Sequence, residues 1–356
     1  MFTEQKTKNK EVIKISRHVL TQNDLRILSE LYQYGPMFPT HLKAVIDLKS
    51  EFYIYRRLRL LKEYGYMDQT NLYVPIEGYK RKRRKVGTMY YLLTKGVHGA
   101  RKHLQVDLDR KVRIEKPAGT WMYYQYYLGR IRAELAPLFR DDNEWVPGKL
   151  VKQQLNLSDK IRIHALLKVN GFRYAVYNFN GARPENVAKI VTAQTKSINR
   201  LVDGHIVICP KAKQSEKLRS IFLQDSDFTN IRFLNYDNAV DVISELIRND
   251  QHMRMINLIK ERYPHVHINI EQTPNAILGI DFIPPGAYIG NSNRGSFFIS
   301  ELLTENMRII KALRFFDGTA AQRCNLPSTA FVLLRDKWQE NEYLKIINNK
   351  HVNFIY

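Results

Sequence analysis

Lys80, Arg81, Lys82, Arg83, Arg84 and Lys85 form six consecutive cations, KRKRRK, between two short apolar, strand-like runs at residues 67–76 and 88–93. Directly upstream, SEFYIYRRLRLLKEYGY has the apolar spacing of a helix. A helix followed by a hairpin with a cationic tip is a narrow constraint on the local fold. It also points to a class of partner, because such a density of positive charge draws a polyanion and steers its approach.

The charge of the whole chain agrees with that direction. Lys and Arg number 56 against 35 Asp and Glu, a formal net charge of +21 over 356 residues. Residues 1–104 carry +12 of it, whereas residues 105–356 carry +9 over more than twice the length. With 44% hydrophobic residues the chain builds sizeable cores, and its length suits two or three domains. Cys209 and Cys324 are far apart and neither belongs to a CxxC pair, which argues against a disulfide framework or a cysteine-rich zinc site. The start has no apolar signal region, and no segment nears the roughly 18 continuous apolar residues of a membrane span. A cytoplasmic protein is expected. No repeat of fixed period is visible.

After a polar tail at residues 1–20, Thr21 is expected to cap a helix over residues 22–34, with Leu25, Leu28 and Leu31 on its buried face. Gly35 and Pro36 end it, and Pro39 and Thr40 open a second short helix. Ser50 begins a third, whose apolar stripe is Ile54, Leu58 and Leu61 and whose stop is Gly65. Tyr53, Arg56, Arg57 and Lys62 are left on its other faces. With the hairpin and a last helix over residues 94–104, the order is that of a winged helix-turn-helix spanning residues 21–104. In such a unit the third helix enters the major groove of double-stranded DNA, where Arg reaches guanine edges and Ser, Tyr or Lys hold phosphates. Arg56 and Arg57 lead as base contacts, and Thr40, Ser50, Tyr53 and Lys62 complete the expected contact set. The loop at residues 77–87 is the expected wing, laying its cations along a phosphate backbone or into a minor groove.

Three segments, LTQNDLRILSEL, YRRLRLLKEYGYM and MYYLLTKGVHGARKHL, resemble the N-terminal part of the plasmid replication-relaxation family, found on mobile elements of Gram-positive bacteria. The resemblance covers about a quarter of the chain. It implies binding of plasmid DNA in replication, relaxation or transfer, or regulation of those genes.

Residues 105–150 read as a connector dominated by an aromatic amphipathic helix at 120–139 (TWMYYQYYLGRIRAELAPLF), which serves either to pack on a domain core or to form a homodimer. Trp145, Pro147 and Gly148 mark its boundary. In residues 151–250 the pattern changes to two strands joined at Asn170-Gly171, followed by alternating helices and strands. The expected architecture is thus multidomain, α+β and α/β, with a middle domain resembling a degenerate restriction-endonuclease-like fold. Nucleases of that fold use two carboxylates to hold Mg²⁺ and a lysine to orient water. Asp159 suits the first position, but the strand Arg173-Tyr174-Ala175-Val176-Tyr177-Asn178-Phe179 offers neither a second acid nor a lysine. A non-catalytic domain is expected.

In residues 251–356, a third α/β region, the stretch 264–271 alternates strictly. As one strand it sets His265, His267, Asn269 and Glu271 on a single face. Histidine, hydrophobe, histidine is the metal-binding pattern of the HUH nickases, so a metal-dependent nickase or relaxase using His265 and His267 is the alternative function, although no tyrosine nucleophile stands out. A helix at 304–316, the short AAQRC segment and a further helix after Pro327 loosely follow a second helix-turn-helix. No GxxxxGK[ST] loop is present, so an ATP-driven motor would be a separate protein. No cofactor, metal or catalytic set is expected, and a structural or partner-binding accessory role is the remaining alternative.

Overall fold

The computed structural model describes residues 20–75, 83–104, 116–117, 119–139, 143–179, 183–224, 230–262, 264–269, 287–293 and 295–356. Among these residues the chain is mixed α/β, with thirteen α-helices and three sheets. The expected tail at residues 1–20 lies outside the described residues but for Leu20, as do residues 105–115 of the expected connector.

The first unit holds α1 (Gln22–Tyr34), α2 (Pro39–Ile46), α3 (Glu51–Glu63), the antiparallel pair β1 (Met67–Pro75) and β2 (Arg83–Leu92), and α4 (Thr94–Leu104). Each start and stop has a local cause. A capping box opens α1: Asp24 N donates to Thr21 Oγ1 while the Asp24 carboxylate accepts from Thr21 N at 2.8 Å. The end of α3 turns at Gly65 (φ 73°), where Tyr66 N donates to Leu61 O and Gly65 N to Lys62 O, both at 2.9 Å. Ile27, Leu28, Leu31, Ile54, Leu58 and Leu61 share one core. Ile27 takes the inner position of α1 that the spacing gave to Leu25, which is half-buried.

A long helix, α5 (Thr120–Leu135), leads into a second unit made of β3 (Glu144–Pro147), α6 (Gly148–Gln154), β4 (Ala165–Val169), β5 (Phe172–Asn178), α7 (Pro184–Ile198), β6 (Gly204–Cys209), α8 (Ala212–Phe222), β7 (Ile231–Asn235) and α9 (Ala239–Arg248). Its sheet runs β3-β4-β5-β6-β7, the first three strands antiparallel and the last three parallel. Because β3 pairs with β4, the sheet starts inside the stretch read as connector, and the boundary expected at 150 falls within α6. Leu128, Ile131 and Leu135 of α5 pack on this sheet with Trp145, Leu167 and Val176. On its other side α5 meets the first unit. Tyr126 stacks near His41 with centroids 5.8 Å apart, Tyr123 Oη donates to Tyr73 O, and Tyr34 Oη donates to Trp145 O. Met122, Leu128, Ile131 and Leu135 of α5 are thus buried within the chain, its tyrosines are half-buried and Trp121 is exposed.

The third unit comprises α10 (Gln251–Arg262), β8 (His267–Asn269), β9 (Tyr288–Ser292), β10 (Gly295–Glu301), α11 (Met307–Arg314), α12 (Gly318–Arg323), β11 (Ala330–Leu333), α13 (Lys337–Ile347) and β12 (Val352–Ile355). Residues 328–334 form no helix. Ala330, Val332 and Leu333 are buried in β11, which pairs on both sides, so the continuous apolar run is that of an inner parallel strand and the expected second helix-turn-helix is absent from these residues. The sheet order is β8-β9-β10-β11-β12, again three antiparallel strands continuing into three parallel ones. Both sheets are preceded by a helix, α5 or α10, and both cross from strand to parallel strand through helices. The second and third units therefore repeat one topology.

The two repeats share a core in which residues of α7 and α8 join residues of α11 and α13. Arg219 of α8 is fully buried there. Its guanidinium donates to Glu305 Oε2 at 2.7 Å, to Glu342 and to Phe233 O. Breaking such a buried set by removing one partner costs more than a surface ion pair is worth, because the other charge stays in place. Arg219→Ala should lower the free energy of unfolding by about 3–5 kcal/mol in urea titrations. Lys217→Ala, two residues earlier in α8 and paired with Glu185 on the surface, should leave the urea midpoint close to that of the parent.

Three histidines, His41 and His205 buried and His164 half-buried, tie stability to pH. Burial pushes His41, His164 and His205 each down to about 4, with Arg130 beside His41, and Lys152 and Arg162 beside His164, acting in the same direction. An unfolded histidine titrates near 6.5. The unfolded chain thus takes up protons first, and stability present above about pH 6.5 is lost as the pH falls toward 4. The urea midpoint should drop steadily from pH 7 to pH 5; a flat midpoint over that range contradicts the assignment.

Candidate functional site

Rotation about the α3 axis decides which of its side chains meet solvent. Successive residues turn by about 100°, so Ile54, Leu58 and Leu61 cluster on one side, and all three are fully buried. Phe52, Arg56 and Arg59 lie roughly opposite, with Tyr55 beside them. Phe52 is 91% exposed and the Arg59 side chain 72%, and Arg56 and Tyr55 are exposed too. The helix begins at Ser50, whose Oγ accepts from Tyr53 N at 3.2 Å. Thr40, in the first turn of α2, is exposed as well. Arg83, Arg84 and Lys85 are exposed on β2. The outward side of α3 and the arm of β2 therefore present aromatic and cationic side chains, with the exposed acids Glu51 and Glu63 at the two ends of the helix.

Arg57 does not belong to that surface. It stands only about 65° from the centre of the apolar stripe, and its Nε donates to Asp24 Oδ1 at 2.8 Å while Nη2 pairs with Oδ2. Its side chain is 12% exposed and that of Asp24 is fully buried. Burial alone would push the Asp24 carboxyl up, but the Arg57 and Thr21 hydrogen bonds outweigh it and hold the group below the usual carboxylate range. A guanidinium held in this way is part of the framework, which corrects its expected role as a base contact.

Other expected contacts divide. The Tyr53 hydroxyl accepts from Asn23 Nδ2 at 3.1 Å, which ties it to α1. Lys62 Nζ lies 3.6 Å from Asp68 on the surface, and Ser50 serves the helix start. Lys80, Arg81 and Lys82 lie outside the described residues. Arg83, Arg84 and Lys85 are in β2, facing Pro75, Val74 and Tyr73, rather than in the loop expected at 77–87. The hairpin arms run past residue 88 because Val86 is an extra residue at a register shift, beyond which pairing resumes. Phe52, Tyr55 and Arg59 were missed by sequence reasoning, although the apolar stripe of α3 contained the signal: positions 52, 56, 59 and 63 lie on the side away from it.

Asp159 is exposed in a turn ahead of β4, six residues before the strand starts, and its backbone oxygen accepts from Lys152 Nζ at 3.2 Å. Asn178, at the end of β5, is buried in a neutral network. Its Oδ1 accepts from Tyr236 Oη at 2.7 Å, and its N donates to His164 Nδ1 at 3.1 Å. His265 sits in a turn and only His267–Asn269 form β8, so the two histidines do not share the long strand read at 264–271; residues 270–286 are outside the described residues. Among the described residues no three His, Cys, Asp or Glu side chains converge as a metal site requires. No described helix is long and apolar enough to cross a membrane.

Comparison with models of known protein families, with curated proteins and with solved structures gives no match to this chain.

Because Arg57 compensates a buried carboxylate and Arg59 pairs only with exposed Glu63, the two should behave differently. Arg57→Ala is expected to lower the unfolding free energy by about 3 kcal/mol and Arg59→Ala by less than about 0.5 kcal/mol, read as urea midpoints at neutral pH.

Proposed function

We propose that this chain is a sequence-specific double-stranded DNA-binding protein of a plasmid or mobile element, acting in replication, relaxation or transfer, or in regulation of those genes. In this reading residues 21–104 are a winged helix-turn-helix. The N-terminal half of α3 lies in the major groove and the β1–β2 hairpin is the wing. The observation that carries it is the two-sided character of α3, one side sealed into the core and the other presenting Phe52, Tyr55, Arg56 and Arg59. Arg56 replaces Arg57 as the base-reading candidate. Arg83, Arg84 and Lys85 supply phosphate attraction from the hairpin, and the segment resemblance to the plasmid replication-relaxation family gives the biological setting.

The second unit is read as a non-catalytic relative of the restriction-endonuclease-like fold. Its three antiparallel strands leading into parallel crossovers suit that fold. Its strands β4 and β5 do not suit metal-dependent cleavage, since Asp159 stands off the sheet and β5 ends on Asn178 bound to Tyr236 and His164. The contribution of this unit is then to hold α5, and through it the reading head, in a fixed orientation.

Binding of labelled duplexes, followed by fluorescence anisotropy, tests the proposal. Affinity should fall steeply between about 50 and 200 mM salt as phosphate contacts release counterions. Changing residues 80–85 to alanine should weaken binding to all sequences alike. Arg56→Ala should cost about 1–3 kcal/mol of discrimination between the preferred site and a scrambled one. Parent-like binding by both variants would defeat the assignment.

A further inference from the structure

Phe52 is the most exposed large apolar side chain among the described residues, at 91%, and it stands in the first turn of α3 next to the Ser50 cap. A solvated phenyl ring contributes nothing to the core of this unit, which is completed by Ile54, Leu58 and Leu61. Its neighbours on the same outward face are Tyr55, also exposed at 46%, and the cations Arg56 and Arg59, one and two turns along. An apolar ring with Arg56 one turn along does not suit a wholly apolar surface, which would leave that guanidinium desolvated without a counter-charge. It does match a polyanion that carries apolar groups between rows of charge. The major groove of DNA is such a surface: phosphates line its edges, and the 5-methyl group of thymine is the apolar feature on its floor.

We infer that Phe52 reads a thymine methyl group in the major groove, beside the base edge met by Arg56, and that the preferred site carries thymine at that position. The inference deepens the DNA-binding reading and depends on it. Glu51, exposed next to Phe52, agrees with a position over base edges, because its carboxylate would be repelled along a phosphate row yet accepts a hydrogen bond from a cytosine amino group.

The test begins by selecting duplexes from a random pool with the full chain. In the selected site each thymine is then replaced, one at a time, by deoxyuridine, which removes only the methyl group. For the parent, one substitution should weaken binding about three- to fivefold, the amount expected for one buried methyl. Phe52→Ala should bind the thymine site with that same loss and be indifferent to the deoxyuridine change at that position, while keeping the unfolding midpoint of the parent. Loss of sensitivity that returns in Phe52→Leu would support methyl packing further. The inference is overturned if Phe52→Ala binds the selected site like the parent, or if parent and variant show the same deoxyuridine profile. A parent that enriches no duplex at all overturns the DNA-binding reading itself, and this inference with it.

Discussion

The pair between Arg57 and Asp24 sets the rotation of α3, and the rest of the candidate surface depends on that rotation. A buried carboxylate in the first turn of α1 requires a cation, and the one that reaches it comes from α3. With Arg57 anchored there and Ile54, Leu58 and Leu61 facing the core, residues 52, 56 and 59 are left on the exposed side of the helix. The same carboxylate accepts from Thr21 N, so one acid both opens α1 and orients α3.

Behind this head the chain is built from one topology used twice. In each repeat three antiparallel strands lead into parallel crossovers, and the crossover helices of the two repeats meet in a common core around Arg219, Glu305 and Glu342. The outer face of the first repeat is covered by α5 and α9, and α5 also meets the first unit through Tyr123, Tyr126 and Arg132, the last lying over the Tyr34 ring. The aromatic residues of α5 are the physical link between the outward surface of α3 and the bulk of the molecule.

Much of this was legible in the sequence where a local rule acts alone. Thr21, Ser50 and Gly65 mark their helix ends because capping involves only neighbours, and Asn170-Gly171 marks its hairpin for the same reason. Arg57 was misread because an ion pair across 33 residues leaves no periodic trace. Residues 330–334 were read as a helix since a short apolar run has no period of its own, and only pairing to β10 and β12 makes part of it a strand. The repeat was invisible for a related reason: topology is fixed by strand order and direction, which very different side chains satisfy. The candidate surface was half-legible. Arg56 was named, while Phe52, Tyr55 and Arg59 emerged once the inward face of α3 was fixed.

The central claim is that the outward face of α3, with the β1–β2 hairpin, is where DNA binds. Hydrogen exchange of the full chain, with and without a duplex it has selected, tests this most directly. If DNA lies on this surface, exchange should slow in the first two turns of α3 and along β1 and β2, with β4, β10 and β11 unchanged. Protection confined to residues 144–356, with α3 and the hairpin exchanging as in the free protein, would contradict it.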